Sequence, residues 1–336
     1  MIKFISAQPA ILYYAWQVEV MLSNFIEKDV NPKDIHIVCW KVNGVISKEW
    51  ENLRNKYKEV SFFFYDDLRT TKNYISSIRP NILKQHFAAH PELKSQTIFY
   101  HDCDVIFTKS IKEWITEEMI TDENWYGSDT RWYIAHSYVK SKGEEVLQDM
   151  CNIVGILPEE VEKNEYNTIG AQYIMKDIDE HFWDKVEKDS EALFLLVNYK
   201  KPIYEKTWEK KMLKYPSFSR NEKGELIKDG EVVKYHELQI WCADMWAVLW
   251  NGWLKGKTTI ADKKLDFSWG TSDLNTYNKC NIMHNAGVIN SKSGLFFKGA
   301  YINNLPYDDN LEIKDNTASK EYWKLIKKVG ETSCIK

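Results

Sequence analysis

An α/β fold, with a mostly parallel sheet flanked by helices and then a mixed second half, is what this sequence predicts. Three observations carry that expectation. Short β-prone runs alternate with segments of helical period over the first hundred or so residues. Polar residues stand at the ends of those runs, where open α/β sheets bind their ligands. Beyond residue 110 the alternation gives way to less regular, aromatic-rich segments.

Each element has its own reason. Met1 to Ala7 reads as a first strand that ends at Gln8-Pro9. Ile11 to Ile26 follows with Leu12, Trp16, Val20 and Phe25 at helical spacing. Asn31-Pro32-Lys33-Asp34 is a turn, and Ile35 to Trp40 a second strand. Ser47 opens a helix, with Glu49 in its first turn. Val60 to Tyr65 is a third strand, stopped by Asp66-Asp67, and Ile78 to Ala89 a helix with Pro80 near its start. Thr97 opens the fourth strand. In the second half, Ile111 to Met119 reads as a short helix. Asn167 to Met175 reads as a strand in which Gly170 marks close approach by a ligand or another backbone. Lys176 to Val197 looks helical, Glu225 to Tyr235 is a hairpin on Asp229-Gly230, and Leu238 to Trp253 is an apolar helix. Asp266-Phe267-Ser268-Trp269 reads as an aromatic loop.

The chain has 336 residues and a formal charge of −4, so no global basic field points to nucleic acid or to a membrane surface. No stretch approaches the ~18–20 apolar residues of a membrane span, and the start lacks the long apolar segment of a signal peptide. Six cysteines with no C-x-x-C pair read as reduced thiols of a cytoplasmic protein. One stretch runs against the overall charge. Between Tyr199 and Arg220 seven cations (Lys200, Lys201, Lys206, Lys210, Lys211, Lys214 and Arg220) face two acids and interleave with five aromatics. It reads either as a solvated helix and loop or as a groove for a polyanion.

The chemistry centres on Thr97 to Phe107. Asp102 and Asp104 stand one residue apart after an apolar run. In extended backbone, residues two apart share a face, so both acids would aim at one point at a strand end. Burying two carboxylates beside a core strand is costly unless they are paired or bind a cation. Mg²⁺ or Mn²⁺, which takes one or two protein carboxylates plus phosphate oxygens, suits that geometry. His284 would complete a mixed oxygen and nitrogen site with Asp102 and Asp104. Gly287 would let backbone approach a phosphate, and Lys298 would neutralise it.

Together these residues resemble the GT-A glycosyltransferases. More closely, they resemble the hydroxyproline O-arabinosyltransferase and peptidyl serine galactosyltransferase group, with related enzymes of large DNA viruses. The resemblance rests on Ala7-Gln8-Pro9 with Tyr13-Tyr14-x-Trp16-Gln17, Tyr100-His101-Asp102-Cys103-Asp104, Ile169-Gly170-Ala171-Gln172-Tyr173-Ile174, Trp241-x-x-Asp244-Met245 and Asp266-Phe267-Ser268-Trp269. It covers residues 1–300, as one GT-A-like domain with a nucleotide-binding half (1–110) and an acceptor half (111–300) that carries the basic insertion and hairpin near 199–236. Residues 301–336 form a C-terminal extension. In related enzymes the lysine stands three residues after the glycine, whereas Lys298 stands eleven after Gly287.

The resemblance implies a metal-dependent transferase that acts on a UDP-linked sugar and retains configuration. Gln8, Pro9, Tyr13 and Asp66 would hold base and ribose. Arg79, Lys84 and Lys298 would act on the diphosphate, which also meets Asp102 through the metal. Gln172 and Asp244 would face the sugar and acceptor, with Asp244 as acceptor orienter or transient nucleophile. The sugar would be a hexose or a pentose such as arabinose. The acceptor stays open between a hydroxymethylated pyrimidine in DNA and a hydroxyproline or serine peptide. A host-cell cytoplasmic setting would suit a viral enzyme. A nucleotidyltransferase and a non-catalytic sugar-binding module are the competing classes. Oligomeric state is open.

Overall fold

The computed structural model describes residues 2–336. The first half alternates strand and helix: β1 (Ile2–Pro9), α1 (Leu12–Glu27), β2 (Ile35–Trp40), α2 (Lys48–Lys56), β3 (Ser61–Tyr65), α3 (Ile78–Ala89) and β4 (Thr97–His101). Then come β5 (Val105–Phe107), α4 (Glu117–Thr121), β6 (Trp125–Asp129), α5 (Arg131–Ile134), α6 (His136–Lys142), α7 (Glu144–Val154), α8 (Pro158–Lys163) and β7 (Ile169–Met175). The long α9 (Glu180–Met212) leads to β8 (Phe218–Arg220), β9 (Leu226–Lys228) and β10 (Glu231–Val232). The chain closes with α10 (Ala243–Leu254), β11 (Thr259–Ala261), β12 (Phe267–Trp269), α11 (Leu274–Lys279), β13 (Ile282–His284) and α12 (Ala318–Gly330).

Seven strands form the central sheet in the order β11-β6-β7-β4-β1-β2-β3. All run parallel except β7, which is antiparallel to both β4 and β6. The fold class is therefore the α/β arrangement expected from the alternation. The interior strands β2 and β4 are buried nearly throughout, as a sheet covered on both faces requires, whereas the edge strand β3 is only half-buried. One apolar core joins the sheet to α3, α7, α9 and α10. The other joins it to α1, α2 and α12 and to the small sheet β12-β13-β5. Residues 301–336 enter that second core through Tyr307, Tyr322, Trp323 and Ile326.

Several local expectations are corrected. Ile111 to Met119 is not one helix: Ser110 and Thr116 each cap a new start, which splits it into a 3-10 turn (Ile111–Glu113) and α4. The helix expected to end at Val197 runs on to Met212 through Pro202. Lys200 and Tyr204 both hold Asp149 of α7, which ties that continuation to the core. Phe267–Trp269 is a strand, because it pairs in parallel with β13. The helix begun at Leu238 starts instead at Ala243, after a 3-10 turn. The close approach at Gly170 is made by side chains: a Cβ there would lie 2.6 Å from Met245 Cε and 3.0 Å from Thr130 Oγ1. The hairpin on Asp229-Gly230 is present, with both residues at positive φ.

Candidate active site

A cavity of about 350 Å³ opens at the carboxyl ends of the parallel strands. Gln8 and Pro9 reach it from the end of β1, Tyr13 from the first turn of α1, Arg79 from α3, and Asp244 from α10. Asp102 and Asp104 enter from the turn between β4 and β5 rather than from extended backbone. Their convergence comes from the small sheet. Antiparallel pairing of β5 with β13 sets Val105 opposite His284, and Asn285 N–H donates to the Asp104 carbonyl at 2.9 Å.

Each carboxylate divides its oxygens between two partners. His284 Nε2 lies 3.2 Å from Asp104 Oδ1 and 3.6 Å from Asp102 Oδ2. The outer oxygens are held by cations, Asp102 Oδ1 by Arg79 and Asp104 Oδ2 by Lys298. Arg79 also donates to Asp244 Oδ2 at 2.8 Å, while Tyr74 OH lies 2.7 Å from Asp244 Oδ1 and 2.6 Å from the Trp241 carbonyl oxygen, with one hydrogen between the two acceptors. Burial alone would raise the Asp104 carboxyl, but Lys298 and His284 outweigh it and hold the group well below the usual carboxylate range. The same pairing reverses the effect of burial on its partners, so Lys298 and His284 are both shifted upward. With His284 neutral, three carboxylates against Arg79 and Lys298 leave the cluster one net negative charge.

The donor set fits a hard divalent cation. Ligand atoms of Asp102, Asp104 and His284 all lie within 4.8 Å of one another. An octahedral ion with bonds of about 2.1 Å places neighbouring ligands roughly 3 Å apart, close to the two distances from Nε2. The two carboxylate oxygens suit Mn²⁺ or Mg²⁺, and the imidazole nitrogen favours Mn²⁺ of the two.

No family model and no curated protein matches the chain. Solved structures similar to it include glycosyltransferases. The galactosyltransferase LgtC, in complex with donor and acceptor sugar analogues, matches with a TM-score of 0.43 and 12% identity, over 97% of this chain and 95% of that one. The apo bifunctional glycosyltransferase WbbM matches with a TM-score of 0.41 and 11% identity over 85% of this chain, which spans only 46% of WbbM. Glucosyl-3-phosphoglycerate synthase from Mycobacterium tuberculosis, with Mn²⁺, UDP and glucosyl-3-phosphoglycerate, matches at 0.31 and 11% identity over 60% of this chain and 66% of the synthase.

Four residues expected at the site stand elsewhere. Asp66 follows β3 but turns to Lys41 at 2.9 Å and stays outside the cleft wall. Lys84 lies on the α3 face that meets α9, paired with Glu187 at 2.7 Å and Asp184 at 3.2 Å. Gly287 forms a left-handed turn beside Trp269 just outside the lining. Gln172 is fully buried behind His284 rather than facing the cavity. The basic stretch contributes nothing to the lining, which contains no residue between 199 and 236. Sequence reasoning missed Tyr74, which orients Asp244 from an irregular segment with no periodic signal. It also took Arg79 for a phosphate ligand only, when the side chain bridges Asp102 and Asp244.

Proposed function

We propose that this protein is a GT-A-type, metal-dependent glycosyltransferase that moves a sugar from a UDP-sugar to a hydroxyl acceptor. The observation that carries the proposal is the convergence of Asp102, Asp104 and His284 inside a cavity at the carboxyl rim of a parallel sheet. Asp102, Asp104 and His284 would hold Mn²⁺ or Mg²⁺. A cation bound there supplies Lewis-acid stabilisation of the charge that develops on the departing diphosphate. Lys298 and Arg79 add fixed positive charge to the same rim, already oriented by their carboxylates. Gln8, Pro9 and Tyr13 form the wall suited to base and ribose.

Asp244 is the group proposed to act at the sugar. Arg79 and Tyr74 OH contact different oxygens of its carboxylate, and neither is one of the metal cluster's own ligands. Beside it Trp241 lines the cleft while 64% exposed, a flat apolar face on which a ring of the acceptor can stack. Asp244 would orient the acceptor hydroxyl or attack the anomeric carbon, and retention of configuration is the outcome the resemblance implies. The sugar would be a hexose or a pentose such as arabinose.

The test combines UDP calorimetry with a UDP-release assay. UDP is expected to bind at least about tenfold more tightly with Mn²⁺ than in EDTA, since metal and diphosphate complete one coordination shell. One member of a UDP-sugar panel is expected to be turned over when Mn²⁺ is present. Equal UDP affinity in Mn²⁺ and EDTA, with no turnover of any donor, would remove the proposal.

A further inference from the structure

Behind His284 runs a buried chain of polar side chains that the cleft does not reach. Gln172 and Ser128 are 0% and 1% exposed. β7 bulges against β6: Gly127 pairs with Tyr173 but Ser128 pairs with Gly170, so Ala171 and Gln172 have no opposite residue. Ala171 takes φ of 62°, a left-handed conformation that an alanine rarely adopts. The bulge turns Gln172 toward His284, with one amide atom 3.4 Å from Nδ1 and the other 2.8 Å from Ser128 Oγ. Ser128 Oγ is in turn 2.8 Å from the Leu265 carbonyl oxygen.

Donor and acceptor capacity fixes the direction of this chain. The nitrogen and oxygen of a Gln amide are assigned from their partners. A carbonyl oxygen only accepts, so Ser128 must give its single hydrogen to Leu265. Ser128 Oγ must then accept from Gln172. With the amide oxygen toward Ser128, that hydroxyl would face two acceptors with one hydrogen. With the NH₂ toward Ser128, the Gln172 oxygen faces His284, and Nδ1 must carry a hydrogen. Nε2, the atom turned to Asp102 and Asp104, is then the nitrogen left for a cation.

We propose that Gln172, anchored by Ser128, is a positioning residue that holds hydrogen on His284 Nδ1 and so reserves Nε2 for a divalent metal. The proposal rests on the metal reading above. It gives physical sense to the bulge, whose strained alanine stands next to the residue it turns. Partners that orient a ligating imidazole typically account for about 10–100-fold in metal affinity.

The experiment measures free Mn²⁺ by electron paramagnetic resonance in titrations with UDP present. Gln172→Leu is expected to weaken Mn²⁺ about 10–100-fold. Gln172→Glu keeps an acceptor toward Nδ1 but sets a second acceptor against Ser128 Oγ, so it is expected to retain more Mn²⁺ affinity than Gln172→Leu and less than the unaltered protein, an order that a purely structural role would not give. Unchanged affinity in Gln172→Leu, or a Glu variant as weak as the Leu variant, would overturn the inference. Should Gln172→Leu fail to fold, Ser128→Ala replaces it: weaker Mn²⁺ binding supports the inference and unchanged binding overturns it. Nitrogen NMR of the Mg²⁺–UDP complex gives a second readout, with hydrogen on Nδ1 expected and a bare Nδ1 overturning. If the unaltered protein binds no Mn²⁺, the metal reading falls and this inference with it. Normal binding that is insensitive to Gln172 removes this inference alone.

Discussion

Two charged regions of this molecule have opposite characters. At the cleft, Arg79, Asp102, Asp104, Asp244, His284 and Lys298 come from separate parts of the chain and meet in one buried or half-buried cluster. Between Lys200 and Arg220 the charges are adjacent in sequence but scattered over the outer end of α9 and its following loop. Lys200 pairs with Asp149, Lys201 with Glu237 and Arg220 with Glu209, while Lys206, Lys210, Lys211 and Lys214 are exposed. A local charge count cannot see counterions supplied from elsewhere in the chain. Charges that converge in low dielectric are fixed and coupled, whereas exposed ones are screened and individually weak.

The cleft is where single changes should have their largest effects. Asp104→Ala removes an oxygen proposed to hold the metal and leaves Lys298 without its partner. It is expected to abolish the Mn²⁺-dependent tightening of UDP and to lower turnover by on the order of 10²–10³-fold. Asp244→Asn keeps shape and removes charge, so it should leave Mn²⁺ binding intact while lowering kcat by about 10²–10⁴-fold. Calorimetry and UDP release on the same samples separate the two. If both variants lost metal and turnover equally, the cluster would be one indivisible unit and Asp244 would have no separate role.

How much of this was legible in the sequence follows the same division. Period and punctuation reveal local structure, so the alternation of β1 to β4 with their helices could be read almost to the residue. The pair Asp102 and Asp104 stood out because acids are rare after a run such as Ile98-Phe99-Tyr100. Their geometry did not follow from period: a turn, not a strand, holds them, and their convergence depends on β5 meeting β13. Asp66 and Lys84 were misplaced because a strand-end position says nothing about Lys41, Asp184 or Glu187 nearby. Tyr74 had no signal, since its role exists only once α10 lies beside it. The continuation of α9 past Pro202 depended on Asp149, again a partner from another element.

Histidines sharpen the comparison, because His284 has acids in contact with it, whereas the acids that act on His36 (Asp34 and Glu92) are outweighed by burial and nearby positive charge. His36 Nδ1 lies 3.1 Å from His86 Nε2, whose other nitrogen is 3.0 Å from Tyr65 OH. Burial, helped by nearby positive charge, lowers His36 to about 4. Burial and the neighbouring imidazoles lower His86 to about 2. Both are therefore native as neutral rings. Below the ordinary value of about 6.5 the unfolded chain takes up protons that the native pair refuses, so the stability they contribute is full above that pH and is lost as pH falls, toward 4 for His36 and toward 2 for His86. His284, shifted upward, runs the other way, with its stabilisation present below about 6.5 and lost as pH rises through its folded value. Urea unfolding is expected to show a net loss of about 1–3 kcal/mol between pH 7.5 and 5.5, a window above the carboxylate range. In the double variant His36→Gln, His86→Gln the loss should shrink to the part carried by His101, which burial also lowers to about 4. An equally steep fall in that variant would place the acid sensitivity elsewhere.

The smallest effect is expected at the basic stretch. Lys210 and Lys211 are exposed near the end of α9, and no residue from 199 to 236 lines the cleft. Lys210→Glu with Lys211→Glu should therefore change stability by no more than about 0.5 kcal/mol and leave transfer to a small hydroxyl acceptor within about twofold. That variant also tests the one setting in which scattered charges act together. A polyanion lying along several lysines releases counterions at each phosphate contact, and its binding then weakens steeply with salt. Exposed Tyr199 and Tyr215 could stack on opened bases of such a ligand. Transfer assayed in parallel on hydroxymethylated DNA and on a free hydroxyl acceptor, over a series of salt concentrations, measures this directly. Loss on DNA alone, with a shallower salt slope, would show that a surface outside the cleft selects the acceptor. No transfer to DNA by the unaltered protein, with transfer to a hydroxyproline or serine peptide, would leave acceptor choice to the cleft, where Asp244 in the first turn of α10 and Trp241 in the 3-10 turn before it both line the wall.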